Sequence, residues 1–127
     1  MRIDGKRRPS ERLGEHDARG LVTDSGQRLE GVEASKEELA MASGADKMVP
    51  LDGKAAGMAG KVADGKDATA TARAIYDHVL EKMKYDKPQG QPWGRGDAEW
   101  ACDNGYGNCT DFHSYFMAIA RKKGIPM

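Results

Sequence analysis

The sequence lacks the patterns that identify metal-binding, disulfide-bonded and membrane proteins. It has two cysteines, Cys102 and Cys109, and no C-x-x-C or histidine pair, so the four ligands of a structural zinc site are not present. Two cysteines also fall short of a disulfide framework. No apolar run is long enough to span a bilayer, and the basic N-terminus is not followed by the apolar segment of a secretory signal. We expect no metal, no cofactor and no membrane span, and the compartment is left open.

The chain also has little net charge and few large apolar residues. Its 20 basic and 20 acidic residues cancel, which gives no electrostatic reason to expect nucleic acid as a partner. Apolar residues make up 39% of the 127 residues, against about 45–50% in an average domain. A chain of this length forms one small domain at most. We therefore expect a core that does not involve the whole length.

Two regions are predicted to differ in packing. Residues 1–47 are rich in charged residues and glycine and show no sustained hydrophobic period, which predicts a flexible or poorly packed N-terminal region. Within it, Ser35 and Glu38 have the spacing of a capping box and predict a short helix. The packed region is predicted over residues 48–127, with Asp52 as the cap of its first helix.

The clearest amphipathic helix follows a polar break near Asp67. Apolar residues recur there at helical spacing, and charged residues fall between them. His78 lies at the edge of the apolar stripe, where partial burial or exposure is expected more than catalysis. The residues predicted to face the core are Ala72, Ile75, Tyr76, Val79, Leu80 and Met83.

A long loop is predicted between this helix and the next strongly patterned segment. Residues 86–107 hold two prolines, five glycines and both tryptophans, with one short helical turn predicted near residues 97–102. Loops of this length in compact domains are often functional. Trp93 and Trp100 are therefore candidates to form a wall of a substrate cleft, or alternatively to anchor the loop to the core.

The segment from Gly105 to Pro126 predicts a helix over about residues 108–123. Asn108 is a suitable N-cap, and Asp111 lies in the first turn, where an acidic side chain is favoured. Three basic residues and a glycine before Pro126 mark the end of the helix. The apolar stripe of this helix is predicted at Cys109, Phe112, Phe116 and Ile119.

Cys109 is the candidate nucleophile. A thiol in the first turn of a helix faces unpaired backbone N–H groups and the positive end of the helix dipole, and both favour the thiolate. The thiolate is the nucleophile in cysteine enzymes. The alternative is that Cys109 packs in the core with Phe112 and Phe116, since cysteine is among the most often buried residues.

The residues around Cys109 resemble the nucleophile segment of transglutaminase-like domain proteins. The resemblance lies in the block Gly107–Ser114 and in the helix end Gly124–Pro126. Upstream blocks, in the order found in bacterial members, extend it over the region from Val49 to Met127. These blocks are Ala72–Asp77, Met83–Asp86 and Trp93–Ala98.

The resemblance implies an α+β, papain-like fold, of which this chain carries mainly the helical N-terminal part, so we expect it to be mostly α with long loops.

The resemblance also implies a Cys, His, Asp triad with Cys109 as the nucleophile. In the family the other two members lie on strands after the cysteine helix, and we expect both to be missing from a chain that stops at Met127. Asn108, Asp111 and His113 are expected to support the motif structurally, the last two by hydrogen bonds to loop backbone. His113 as the base is disfavoured, because its position on the same helix rarely allows proton transfer.

The expected function is thiol attack on peptide or glutamine-type amides, with an acyl-enzyme resolved by water or by an amine, and no activity from this chain alone. The expected partners are a protein or peptide substrate, and a partner chain or C-terminal half that covers exposed apolar helix faces. The alternative function is a non-catalytic helical interaction module in which Cys109 is structural.

Overall fold

The computed structural model describes residues 31–127. The flexible region predicted over residues 1–47 falls largely on residues 1–30, which lie outside the described residues. Gly31–Ala34 form no helix or strand, and Ser35–Met127 form one compact unit. Within residues 31–127, no helix is long and apolar enough to cross a membrane.

The compact unit is mainly helical, as predicted, with one small sheet. In chain order it comprises α1 (Lys36–Ser43), α2 (Lys54–Gly57), a 3-10 turn (Met58–Lys61), α3 (Ala68–Lys82), β1 (Lys84–Tyr85), α4 (Ala98–Asn104), β2 (Tyr106–Gly107) and α5 (Cys109–Lys122). The two strands pair in parallel, with Lys84 opposite Tyr106 and Tyr85 opposite Gly107. This pairing places the start of α5 beside the C-terminal end of α3.

Most helix starts follow the capping signals in the sequence. Ser35 and Glu38 form the predicted capping box at the start of α1. At α3, the carboxylate of Asp67 accepts a hydrogen bond from the N–H of Ala70 at 2.8 Å. Asp97 caps α4 and Asn108 caps α5 in the same way, so four of these five helix starts are set by local polar side chains.

The start of α2 is different, and the prediction that Asp52 caps it is wrong. The N-cap position is occupied by Gly53, which has no side chain to accept a bond. The carboxylate of Glu99 on α4 accepts instead from the N–H groups of Lys54 and Ala55, at 2.8 and 3.0 Å. This cap comes from a distant part of the chain, and it attaches α4 to α2.

The core forms where α5 packs against α2, α3 and α4. Ile75 and Val79 of α3 and Met83, which follows its last residue, are buried there, as predicted. The prediction for Tyr76 and Leu80 is wrong, because these side chains are 47% and 52% exposed. The apolar stripe of α3 is wider than the surface that α5 covers.

The face of α5 that enters the core also differs from the predicted stripe. Ile119 is fully buried, but Phe112 and Phe116 are only half-buried and Cys109 is exposed. The buried residues of α5 are Asp111, Ser114, Tyr115, Ala118, Ile119 and Ala120. The helix therefore has two apolar faces, one in the core and one at the surface.

Candidate functional site

Cys109 is the first residue of α5, and its side chain is exposed. The preceding residue, Asn108, is the N-cap, and β2 ends just before it. The N–H of Asp86 donates to the carbonyl oxygen of Gly107 at 3.3 Å, which continues the parallel pairing to the end of β2. The thiol is therefore presented directly after a strand that is hydrogen-bonded to its neighbour.

The backbone donors in the first turn of α5 are nearly all used. The side-chain oxygen of Asn108 accepts from the N–H groups of Thr110 and Asp111, at 3.0 and 3.3 Å. The N–H of Phe112 donates to the carbonyl oxygen of Asn108 at 3.0 Å. The N–H of Cys109 has no partner among residues 31–127. It is the N–H of this turn that is not already paired within the described residues.

Asp111 ties the loop before α5 to the start of the helix. Its fully buried carboxylate accepts from the N–H groups of Gly94, Gly96 and Asn108, each at 2.9 Å. Gly94 and Gly96 have positive φ angles of 68° and 64°, which turn their N–H groups towards the same carboxylate. A Cβ at Gly107 would fall among the side-chain atoms of Asp111, so a glycine there leaves room for the carboxylate. Three charge-assisted hydrogen bonds offset the cost of burying the charge.

An apolar groove of about 470 Å³ opens beside Cys109. It runs between α3 and α5 and contains the surface-facing apolar side of each helix. The side chains that dominate its walls are Tyr76, Val79, Leu80, Tyr85, Phe112 and Phe116. Tyr76 and Leu80, the residues of α3 that were predicted to be buried but are exposed, therefore line the groove beside Cys109.

His113 shares the groove with Cys109 and is exposed. The described residues offer it no hydrogen-bond partner, so the expected bond from His113 to loop backbone is not found within residues 31–127. Asp111 makes the bonds to loop backbone. His113 and Cys109 stand four residues apart on one helix and are neighbours on its surface, but no hydrogen bond joins their side chains.

The two loop tryptophans are not among the groove-lining residues. Trp100 lies on α4, partly buried against the core, and its ring meets that of Tyr106 edge-on at 5.2 Å between centroids. Trp93 directly precedes Gly94, and the ammonium of Lys87 lies 4.8 Å from its ring centroid. The indole Nε1 of Trp93 is buried and has no partner in the described part of the chain. A substrate-binding role for these tryptophans stays a prediction.

A hydrogen bond that the sequence does not predict joins α3 to α5. The hydroxyl of Tyr115 lies 2.9 Å from Nε2 of His78. Burial lowers the pKa of His78 and raises the pKa of both Cys102 and Tyr115. The sequence feature that could have indicated this bond is a tyrosine on the core-facing side of a helix, because a buried hydroxyl requires a hydrogen-bond partner.

We expect acid to destabilise the fold partly through His78. Its pKa is lowered from 6.5, first by burial and then by Lys82 and Lys61, while Glu81 acts in the opposite direction. The stabilisation is therefore complete above the unfolded-state pKa and is lost as the pH falls through the lower folded-state pKa. Thermal midpoints measured from about pH 8 to pH 5 should fall in the wild type and fall less in His78→Gln. If the thermal midpoint falls equally with pH in the wild type and in His78→Gln, His78 does not contribute to the loss of stability in acid.

A family model described as the transglutaminase-like superfamily matches residues 56–127, which is more than half of the chain. The matched range contains α3, the glycine-rich loop and α5, and so includes Cys109 and the groove beside it. This match confirms the resemblance seen in the sequence. A search of curated proteins and a search of solved structures each gave no match.

Proposed function

The chain belongs to the transglutaminase-like superfamily, and from this we propose that Cys109 is the nucleophile of an acyl-transfer site. Its thiolate attacks the carbonyl carbon of a peptide or glutamine-type amide, the C–N bond breaks, and the amine leaves after taking up a proton. Water or a second amine then attacks the thioester and releases the thiolate. The observation that carries the proposal is the exposed position of Cys109 at the capped start of α5.

The N–H of Cys109 supports this assignment. The tetrahedral intermediate of acyl transfer carries negative charge on the former carbonyl oxygen, and preorganised backbone N–H groups stabilise it. Asn108 and Asp111 engage each other's N–H groups at the helix start, whereas the N–H of Cys109 has no partner in residues 31–127. The positive end of the helix dipole adds to the attraction for an oxyanion at this position.

The general base is not evident among the described residues. His78 is bonded to Tyr115, His113 makes no hydrogen bond to Cys109, and His16 lies outside the described residues. We place the base on a segment that covers the apolar groove, because the groove adjoins Cys109 and leaves aromatic rings exposed. This segment belongs to a partner chain or to a further part of the same protein.

The 127-residue chain alone is accordingly expected to be inactive. A panel of glutamine-containing and other peptide amides would be incubated with it, and release of ammonia or of the cleaved amine would be measured. The control is Cys109→Ser, which removes the thiol. Turnover by the wild type that disappears in this variant would overturn the expected inactivity while supporting the nucleophile assignment.

Alkylation tests the nucleophile assignment without requiring a base. At about pH 6, iodoacetamide should modify Cys109 about fivefold or more faster than a cysteine in an unstructured peptide, since the helix start favours the thiolate. The modified residue is identified by mass spectrometry of peptides. Cys109→Ser gives the background from Cys102, which is half-buried and whose pKa is raised by burial.

The open groove favours a second candidate function, a non-catalytic interaction module. In this function the apolar walls of the groove bind a partner, and Cys109 is only a surface residue beside it. The alkylation measurement separates the two candidates. A Cys109 that reacts at the rate of an unstructured cysteine would favour the interaction module.

A further inference from the structure

A short glycine turn, residues 94–96, packs against the two residues that flank the candidate nucleophile. A Cβ added at Gly94 would lie 2.9 Å from Nδ2 of Asn108, and one added at Gly96 would lie 2.8 Å from Cγ2 of Thr110. Both distances are shorter than ordinary packing contacts. The backbone of the glycine turn is therefore packed tightly against the side chains on either side of the thiol-bearing residue.

Asp111 holds the glycine turn in this position. Within residues 31–127, the hydrogen bonds between the turn and α5 are those from Gly94 to Oδ2 and from Gly96 to Oδ1 of this carboxylate, at 2.9 Å each. The carboxylate is fully buried, so water does not compete for the two donors. An amide side chain at this position would have only one oxygen to accept them. One N–H of the turn would then lose its partner.

We propose that Asp111 is a positioning residue that limits the width of the approach to Cys109 by holding the glycine turn beside it. The inference rests on the proposed nucleophile role of Cys109. While the carboxylate holds both N–H groups, the turn cannot move away from the helix start, so it narrows access to Cys109 on the side of residues 94–96, whereas the groove side stays open. Asp111 does not touch the reacting atoms, since its oxygens are buried and already occupied.

The test compares two alkylating reagents of different size, iodoacetamide and fluorescein-5-maleimide. Both react with the same thiolate, so the ratio of the bulky to the small rate constant reports steric access and is largely independent of the thiolate fraction. In Asp111→Asn this ratio should rise about fivefold or more, because losing a hydrogen bond to a buried donor shifts a local equilibrium by such a factor. The matched control, Ile75→Val, lowers stability in the core of α3 and should leave the ratio unchanged.

A second variant makes the test independent of the folding of Asp111→Asn. Gly96→Ala keeps the carboxylate but introduces a side chain against Thr110 at a φ of 64°, so it should displace the turn and raise the same ratio. Far-UV circular dichroism identifies which variants are folded. An unchanged ratio in a folded variant would overturn the inference. Loss of the fold in both variants would also overturn it, because the contact between Asp111 and the glycine turn would then have a purely structural role.

Failure of this inference can be told apart from failure of the proposed function. A wild-type Cys109 that is no more reactive than an unstructured cysteine contradicts the nucleophile assignment, yet it still gives a measurable ratio. A reactive Cys109 with an unchanged ratio in Asp111→Asn contradicts only the role of Asp111.

Discussion

Replacing Tyr115 with alanine is expected to lower the free energy of unfolding by about 3–5 kcal/mol. The tyrosine is 1% exposed, and its ring packs edge-on against that of His78 with 5.8 Å between centroids. Truncation would leave a cavity between α5 and its neighbours, and it would remove the hydroxyl that bonds with His78. Urea denaturation followed by circular dichroism measures the loss.

Tyr115→Phe is the matched control, because it keeps the ring and removes only the hydroxyl. It is expected to lower the free energy of unfolding by about 1–2 kcal/mol, because the buried polar partner of the hydroxyl is left without a hydrogen bond. The alanine variant should therefore be clearly less stable than the phenylalanine variant. Equal losses in the two variants would show that the hydroxyl, and not the packing of the ring, dominates the contribution of Tyr115.

The second large effect is expected from Gly107→Ala. This variant should lower the free energy of unfolding by about 3 kcal/mol or more, because it combines overpacking with loss of buried hydrogen bonds. The added methyl group would occupy the space of the Asp111 carboxylate. To make room, the carboxylate would have to leave the N–H groups of Gly94, Gly96 and Asn108. Thermal unfolding measures the loss, and alkylation of Cys109 reports whether the helix start has changed.

The same substitution at Gly57 serves as the control and should have the opposite sign. Gly57 lies at the end of α2 in a right-handed helical conformation, and a Cβ there would meet no atom within 4 Å. Gly57→Ala is expected to stabilise the protein by about 0.4–1 kcal/mol, through the reduced entropy of the unfolded chain. A Gly107→Ala variant as stable as Gly57→Ala would contradict the close contact with Asp111.

Local signals in the sequence were sufficient to predict where the helix of the candidate site begins and ends. The prediction of about residues 108–123 agrees with the observed α5, and Asn108 is its N-cap. These features depend on side chains within three residues of the helix end, so they are visible in a short stretch of sequence. Whether Cys109 is exposed was left open by the sequence, and the structure shows that it is.

The predicted burial of apolar residues was wrong in part, for a reason that periodicity cannot resolve. Tyr76 and Leu80 lie on the same broad stripe as Ile75 and Val79, but only the latter pair is covered by α5. A period of about 3.6 residues identifies the apolar side of a helix and does not say how much of that side a neighbour covers. The uncovered part is the wall of the groove.

The contacts that organise the site were not predictable because they join distant parts of the chain. The bonds from Gly94 and Gly96 to Asp111 span 17 and 15 residues. The cap that Glu99 gives to Ala55 spans 44 residues. A local sequence pattern shows that a carboxylate is present, whereas its partners depend on the tertiary fold.

The close packing of Gly107 on the Asp111 carboxylate links the evolution of the two positions. While the carboxylate is retained, we expect any side chain at position 107 to be selected against, since it would displace the acceptor of three N–H groups. Substitution of Asp111 by a smaller residue would remove that restriction, and position 107 would then tolerate residues other than glycine. Relatives that have lost the acid are therefore expected to be the ones that carry a side chain at position 107, so that the two positions change together.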